Sequence, residues 1–169
     1  LYPIVIVFAL SGYKLLFKFK FIIKLKNLIN LLILLNLVYI LTWNYLNHPY
    51  QNVFFNLLSK NYAKHNFDLD YWGMSNISSL RYIIENSNKF PIKVGSVSFT
   101  SLKESKLMID EGRKKDIIVV HDLNDADFLI DNYMKRVRNN FDIDKNIYKK
   151  YFEIVINGVP INTVYKKIN

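Results

Sequence analysis

Two short stretches hold residue types that could do chemistry: HPYQNVFFN at 48–56 and FDLDYWGMS at 67–75. In the second, Asp68 and Asp70 flank one residue, so on a strand both carboxylates would point to one side, as a pair suited to acid–base work or to a metal. The competing reading, which we favour, has Asp70 cap or order the turn at Gly73 and leaves Asp68 in solvent. Tyr71 and Trp72 could stack on the apolar C–H face of a sugar, or anchor the segment at lipid headgroups or in a core. Anchoring or packing is the simpler role. His48, directly before Pro49, reads as a hydrogen-bonding residue at an interface. The substrate-binding candidates are therefore His48, Tyr50, Asp70, Tyr71 and Trp72, and no residue of the chain is assigned a catalytic or metal-ligating role.

Several chemistries find no support elsewhere in the chain. With no cysteine there is no disulfide framework, zinc–thiolate cluster or thiol nucleophile. His48, His65 and His121 are too dispersed to make a local ligand set. The run HDLNDADFLID carries Asp122, Asp125, Asp127 and Asp131 but lacks the Gly and Glu of a calcium loop, and it reads as solvated. No G-x-G-x-x-G, P-loop or G-x-S-x-G is present, so nucleotide binding and serine hydrolysis have no motif to rest on.

The elements that must position the candidates begin with Leu28–Leu46, LINLLILLNLVYILTWNYL, which has no formal charge. At ~1.5 Å per residue this length crosses most of a ~30 Å hydrocarbon core and predicts a transmembrane helix. Asn30, Asn36 and Asn44 would turn their amides to a neighbouring helix. Trp43 and Tyr45 favour the headgroup level at one end, and Pro49 stops the helix just beyond. Leu1–Phe17, apolar but for Ser11 and Lys14, predicts a first span entered from further sequence upstream. Lys14, Lys18, Lys20, Lys24 and Lys26 crowd the connector and scatter around a helix instead of forming one polar face. A short Lys-rich loop stays cytoplasmic, so two spans place His48 onward outside the cytoplasm. The chain reads as the C-terminal piece of a longer polytopic protein of the inner or plasma membrane.

Charge divides the same way. Residues 1–67 carry seven lysines and no acid, a net of +7, whereas the remainder carries sixteen bases against fourteen acids, a net of +2. The basic pI near 9.5 thus belongs to the membrane half and argues against a nucleic-acid-binding face.

After an interfacial connector at 48–66 the pattern becomes that of a small α/β domain at 67–169. Ser75 precedes a helix in which Ile77, Leu80, Ile83 and Ile84 share a face. Pro91–Phe99 predicts a strand, Ser101 and Glu104 a capping box that opens a helix ended by Gly112, and Ile117–Val120 a parallel strand covered on both faces. Asp127–Asp131 predicts a further strand, and 135–150 a charged loop with a short helix. Phe152, Ile154 and Ile156 alternate up to Asn157-Gly158, a hairpin signal, with Ile161 and Val164 on the returning strand. The fold class is membrane plus α/β: two transmembrane helices, at about 1–17 and 28–46 within a membrane unit 1–47, then a mixed-sheet domain closed by a β-hairpin.

HPYQ-x-x-[YF]-F-N directly after a last span, followed by F-x-x-DYWG-x-S, resembles the C-terminal region of bacterial membrane glycosyltransferases in the dolichyl-phosphate-mannose protein mannosyltransferase superfamily. Leu1-Tyr2-Pro3 is similar to the opening of a late span in that family, and NGVPINTVYK to its terminal hairpin. The resemblance implies transfer of a sugar from a polyprenyl-phosphate donor outside the cytoplasm, using acidic residues of an upstream extracytoplasmic loop. It implies membrane lipid, the upstream transmembrane core and the lipid-linked sugar as partners, with no separate cofactor and no nucleic acid. The alternative is a two-span protein whose α/β domain binds a partner or envelope ligand without catalysis.

Overall fold

A computed structural model describes residues 2–54, 62, 66–98, 100–134 and 143–168. The chain forms two compact units, Leu1–Leu46 and Asn47–Asn169.

The first unit holds α1 (Tyr2–Leu16), α2 (Lys20–Lys24) and α3 (Lys26–Leu46). The 21 residues of α3 make a rod of about 31 Å. Its most apolar window has a mean hydropathy of 1.6, and only 6% of that window is buried. By length and composition, α3 is long and apolar enough to cross a membrane. It is the one helix among the described residues to meet that length. The 15 residues of α1 span only about 22 Å. The lysine connector folds as α2, one short turn with no buried residue. Tyr13 Oη donates to Asn30 Oδ1 at 2.7 Å, so one amide of α3 is met by a side chain of α1, as a polar group in an apolar helix requires.

The second unit is a five-stranded mixed sheet in the order β2-β1-β3-β5-β4. Its strands are β1 (Ile92–Ser96), β2 (Ile117–Val119), β3 (Phe128–Asp131), β4 (Tyr148–Ile156) and β5 (Val159–Lys167). β1 pairs parallel with both β2 and β3, and β5 pairs antiparallel with β3 and β4. Period-two alternation decides the faces. Ile92, Val94, Phe128, Ile130 and Val164 join Leu80, Ile83 and Ile84 of α4 (Met74–Glu85) and Leu102 of α5 (Leu102–Leu107) in the main core. Leu129, between two of them, points the other way to Val97, Ala126 and Tyr148.

Several expectations are corrected here. The helix after the DYWG turn begins at Met74, with Gly73 as its N-cap residue, and Ser75 lies inside it. Ser101 is the N-cap of α5 but makes no side-chain capping bond, and α5 stops at Leu107, so Gly112 falls in a later 3₁₀ segment, Glu111–Asp116. β2 is parallel as expected, but it is an edge strand with Ile118 42% exposed, so it is not covered on both faces. β4 begins at Tyr148, inside the stretch expected as loop, because its first residues pair with Lys166 and Lys167. The hairpin stands: Asn157 and Gly158 both have positive φ, 52° and 72°, as a type I′ turn requires. Phe55, Asn56, His65, Phe99 and 135–142 lie outside the described residues.

Candidate functional site

Residues 67–73 form no strand, and 69–72 fold as turns. Asp68 and Asp70 therefore do not form the carboxylate pair a strand would give, and Asp70 instead caps the helix and orders the turn at Gly73, the reading favoured from the sequence. Leu69 between them is buried against Tyr50, Val53, Ile154, Val159 and Ile161, which draws the backbone inward and carries Asp70 below the surface.

Asp70 has no exposed area. Its Oδ1 accepts the Met74 N–H at 3.0 Å, and its Oδ2 accepts the Ser75 N–H at 3.1 Å and the Ser75 hydroxyl. Two of the free N–H groups that open α4 are thus satisfied by one side chain. Its backbone carbonyl accepts the Gly73 N–H at 2.9 Å and Asn132 Nδ2 at 3.0 Å. Gly73 turns the chain with φ +64°, and a Cβ there would come within 2.9 Å of Thr100 Cβ, so both conformation and space demand glycine. Burial pushes the Asp70 carboxyl above its ordinary pKa, and the bonds from Ser75, Met74 and Asn132 pull the other way.

Around this turn lies a buried polar network that sequence reasoning missed. Asn162 on β5 donates to Ser75 Oγ at 2.8 Å and Asn76 Oδ1 at 2.9 Å and accepts from Ser79 Oγ at 2.8 Å. Asn76 and Asn132 both donate to Thr100 Oγ1, at 2.8 and 3.0 Å. With two bonds accepted, the Thr100 proton is directed to Ser98 Oγ, 3.1 Å away, which in turn lies 2.9 Å from Ser96 Oγ. Asn132 Oδ1 is buried with no hydrogen-bond partner among the described residues. The available signal was a set of polar residues in apolar strand contexts: Ser96 at the end of β1, Ser98 and Thr100 after it, Asn132 after β3, and Asn162 within β5.

This network sits beyond the carboxyl ends of β1 and β3. There the strand order departs from the chain order, because β2 lies on one side of β1 and β3 on the other. Open α/β sheets bind ligands in the crevice at such a switch point. The hydroxyls and amides there are bonded mainly to one another, so they brace the chain at the switch point.

The sequence candidates separate into two groups. Tyr50 is buried, and its Oη donates to Ser78 Oγ at 2.7 Å. Burial raises its pKa first, Asp70 adds to the rise, and the Ser78 bond opposes it. Tyr50 and Asp70 thus act from inside the fold. Tyr71 and Trp72 stand outside it, 51% and 74% exposed, as an edge-to-face pair with ring centroids 5.3 Å apart. Exposed His48 lies with Nδ1 2.6 Å from Gln51 Nε2. His121 is also exposed, and no group of three His, Cys, Asp or Glu able to hold a metal occurs among the described residues.

Compared with protein families, with curated proteins and with solved structures, the chain matches none.

Proposed function

We propose that this chain is part of an integral-membrane glycosyltransferase that moves a sugar from a polyprenyl-phosphate donor. In this reading α1 and α3 both span, the α/β unit is extracytoplasmic, and the acidic residues that do the chemistry belong to an upstream loop. One observation carries it: the three segments that resemble the family in the second unit meet on one face. Tyr50 and Val53 of HPYQNVFFN, Leu69 of FDLDYWGMS, and Val159 and Ile161 of the terminal hairpin form a single core cluster. Segments about a hundred residues apart in sequence are thereby parts of one structure, which leaves Tyr71 and Trp72 facing outward beside the buried Asp70. Their rings suit the apolar face of a sugar or the lipid carrying it.

The decisive test is genomic and enzymatic. The sequence upstream is expected to encode further spans and an acidic first extracytoplasmic loop, and their absence ends the enzyme reading. In the full polypeptide, Tyr71→Ala with Trp72→Ala is expected to leave abundance unchanged and to lower sugar transfer about tenfold, roughly 1.4 kcal/mol of transition-state stabilisation.

A second reading is a two-span binding module without catalysis. What favours it is the engagement of Asp70: the carboxylate most suited to chemistry is committed to Met74 and Ser75. A stable 20.1 kDa product made from a start codon just before Leu1 supports this module, and detection only within a larger polypeptide excludes it.

A further inference from the structure

Four aromatic residues, Tyr62, Phe67, Tyr71 and Trp72, are each half or more exposed, and none of them belongs to a core cluster of the second unit. They pair edge to face, Tyr62 with Phe67 at 6.0 Å between ring centroids and Tyr71 with Trp72 at 5.3 Å. Large rings gathered on a surface mark a place of interaction.

The path of the chain says what meets them. α3 ends at Leu46, and Tyr50 already belongs to the core cluster that holds Leu69. Leu46 to Tyr50 is at most about 14 Å of chain, and Leu69 to Trp72 at most about 11 Å. With α3 across a bilayer, the rings are therefore tethered beside the layer in which its C-terminal end emerges. Residues 66–73 include no Lys or Arg, so charge does not draw this stretch to anionic lipid. Tyr and Trp, each an apolar ring with a polar tip, favour the headgroup level without it. The rings are also fixed to one end of the sheet. A Cβ on Gly73, next to Trp72, would lie 2.9 Å from Thr100 Cβ, and Asn132 Nδ2 donates to the Asp70 carbonyl at 3.0 Å. Thr100 and Asn132 follow the carboxyl ends of β1 and β3.

We infer that this stretch is a membrane-docking surface: Phe67, Tyr71 and Trp72, with Tyr62 beside them, lie in the headgroup layer, and the second unit meets the bilayer with the end of the sheet that holds the Asp70 network. Phe90, exposed just before β1, then lies at the end turned to solvent. The inference rests on α3 crossing the bilayer, which the glycosyl-transfer reading shares, and not on sugar transfer.

Tryptophan emission tests it, because the chain has two tryptophans, Trp43 and Trp72. The full chain is placed in phosphatidylcholine nanodiscs with or without a phosphatidylcholine spin-labelled on its headgroup. The emission of the Trp72→Phe variant is that of Trp43, and its difference from the unaltered chain is that of Trp72. Both are expected to be quenched by the labelled lipid, and Trp72 to be protected from iodide. Phe67→Ser with Tyr71→Ser is expected to lower the lipid quenching of Trp72 and to raise its iodide quenching severalfold. A tryptophan placed at the other end of the sheet, Phe90→Trp in the Trp72→Phe chain, is expected to be open to iodide and untouched by the label. Lack of label quenching at Trp72 with Trp43 quenched overturns the docking and leaves the span: iodide access then shows a solvent-facing pair, and iodide protection a protein partner. If Trp43 escapes the label as well, the span that both readings need is refuted. Equal label quenching at position 90 refutes the orientation.

Discussion

A carboxylate sealed from water is a costly helix cap, and Asp70 is kept there by the number of donors that meet it. Each oxygen takes a backbone N–H, and Ser75 adds its hydroxyl. Burial nevertheless dominates and raises the pKa above its ordinary value of 3.8. Where the folded pKa exceeds the unfolded one, the native state binds more protons within the window between them, so stability falls as pH rises through that window. Above the raised value the loss is complete and constant. Urea unfolding of the full chain in detergent is expected to show a decline from acid toward neutral pH that Asp70→Asn abolishes, and a variant that keeps the slope would refute the assignment. The same substitution leaves an N–H of Met74 or Ser75 facing an amide donor, so it is also expected to lower stability by about 1–3 kcal/mol near neutral pH.

Among elements, the decisive contact is between α4 and β5. Apolar packing of Leu80, Ile83 and Ile84 sets the helix on the sheet, but such packing tolerates sliding by a turn. Asn162 removes that freedom, because its amide bonds to Ser75, Asn76 and Ser79 at one register only. Asn162→Ala would strand the Asn76 carbonyl oxygen and the Ser79 hydroxyl in the interior, each worth about 1–3 kcal/mol when unmet. The expected result is a loss of at least about 2 kcal/mol in unfolding free energy together with faster hydrogen exchange along α4. Exchange unchanged in α4 would show that the apolar face alone holds the helix.

For the whole molecule the leading feature is the separation of charge: seven lysines and no acid before Asp68, and near balance after it. Five of those lysines fall between residues 14 and 26, next to α3, so a reporter fused after Asn169 is expected to be active only as an exported form. Activity of a cytoplasm-dependent reporter at that position would invert the topology. Much of this scale was legible in the sequence because the signals are local. An uncharged run reports an apolar helix, and Asn157-Gly158 reports its own backbone angles. The apolar stretch ending at Ile130 reports a buried strand. What remained hidden depends on partners far along the chain. That Asp70 orders the turn at Gly73 was legible, but not that burial of Leu69 against the hairpin would enclose its carboxylate. Asn162 meets Ser75 across 87 positions and Asn132 meets Asp70 across 62. Ile118 lies in an apolar run and is exposed because β2 came to the sheet edge. Periodicity determined which residues turn inward; only the tertiary structure decided what they meet there, because a polar side chain is stable in the interior only through the particular partner the fold brings to it.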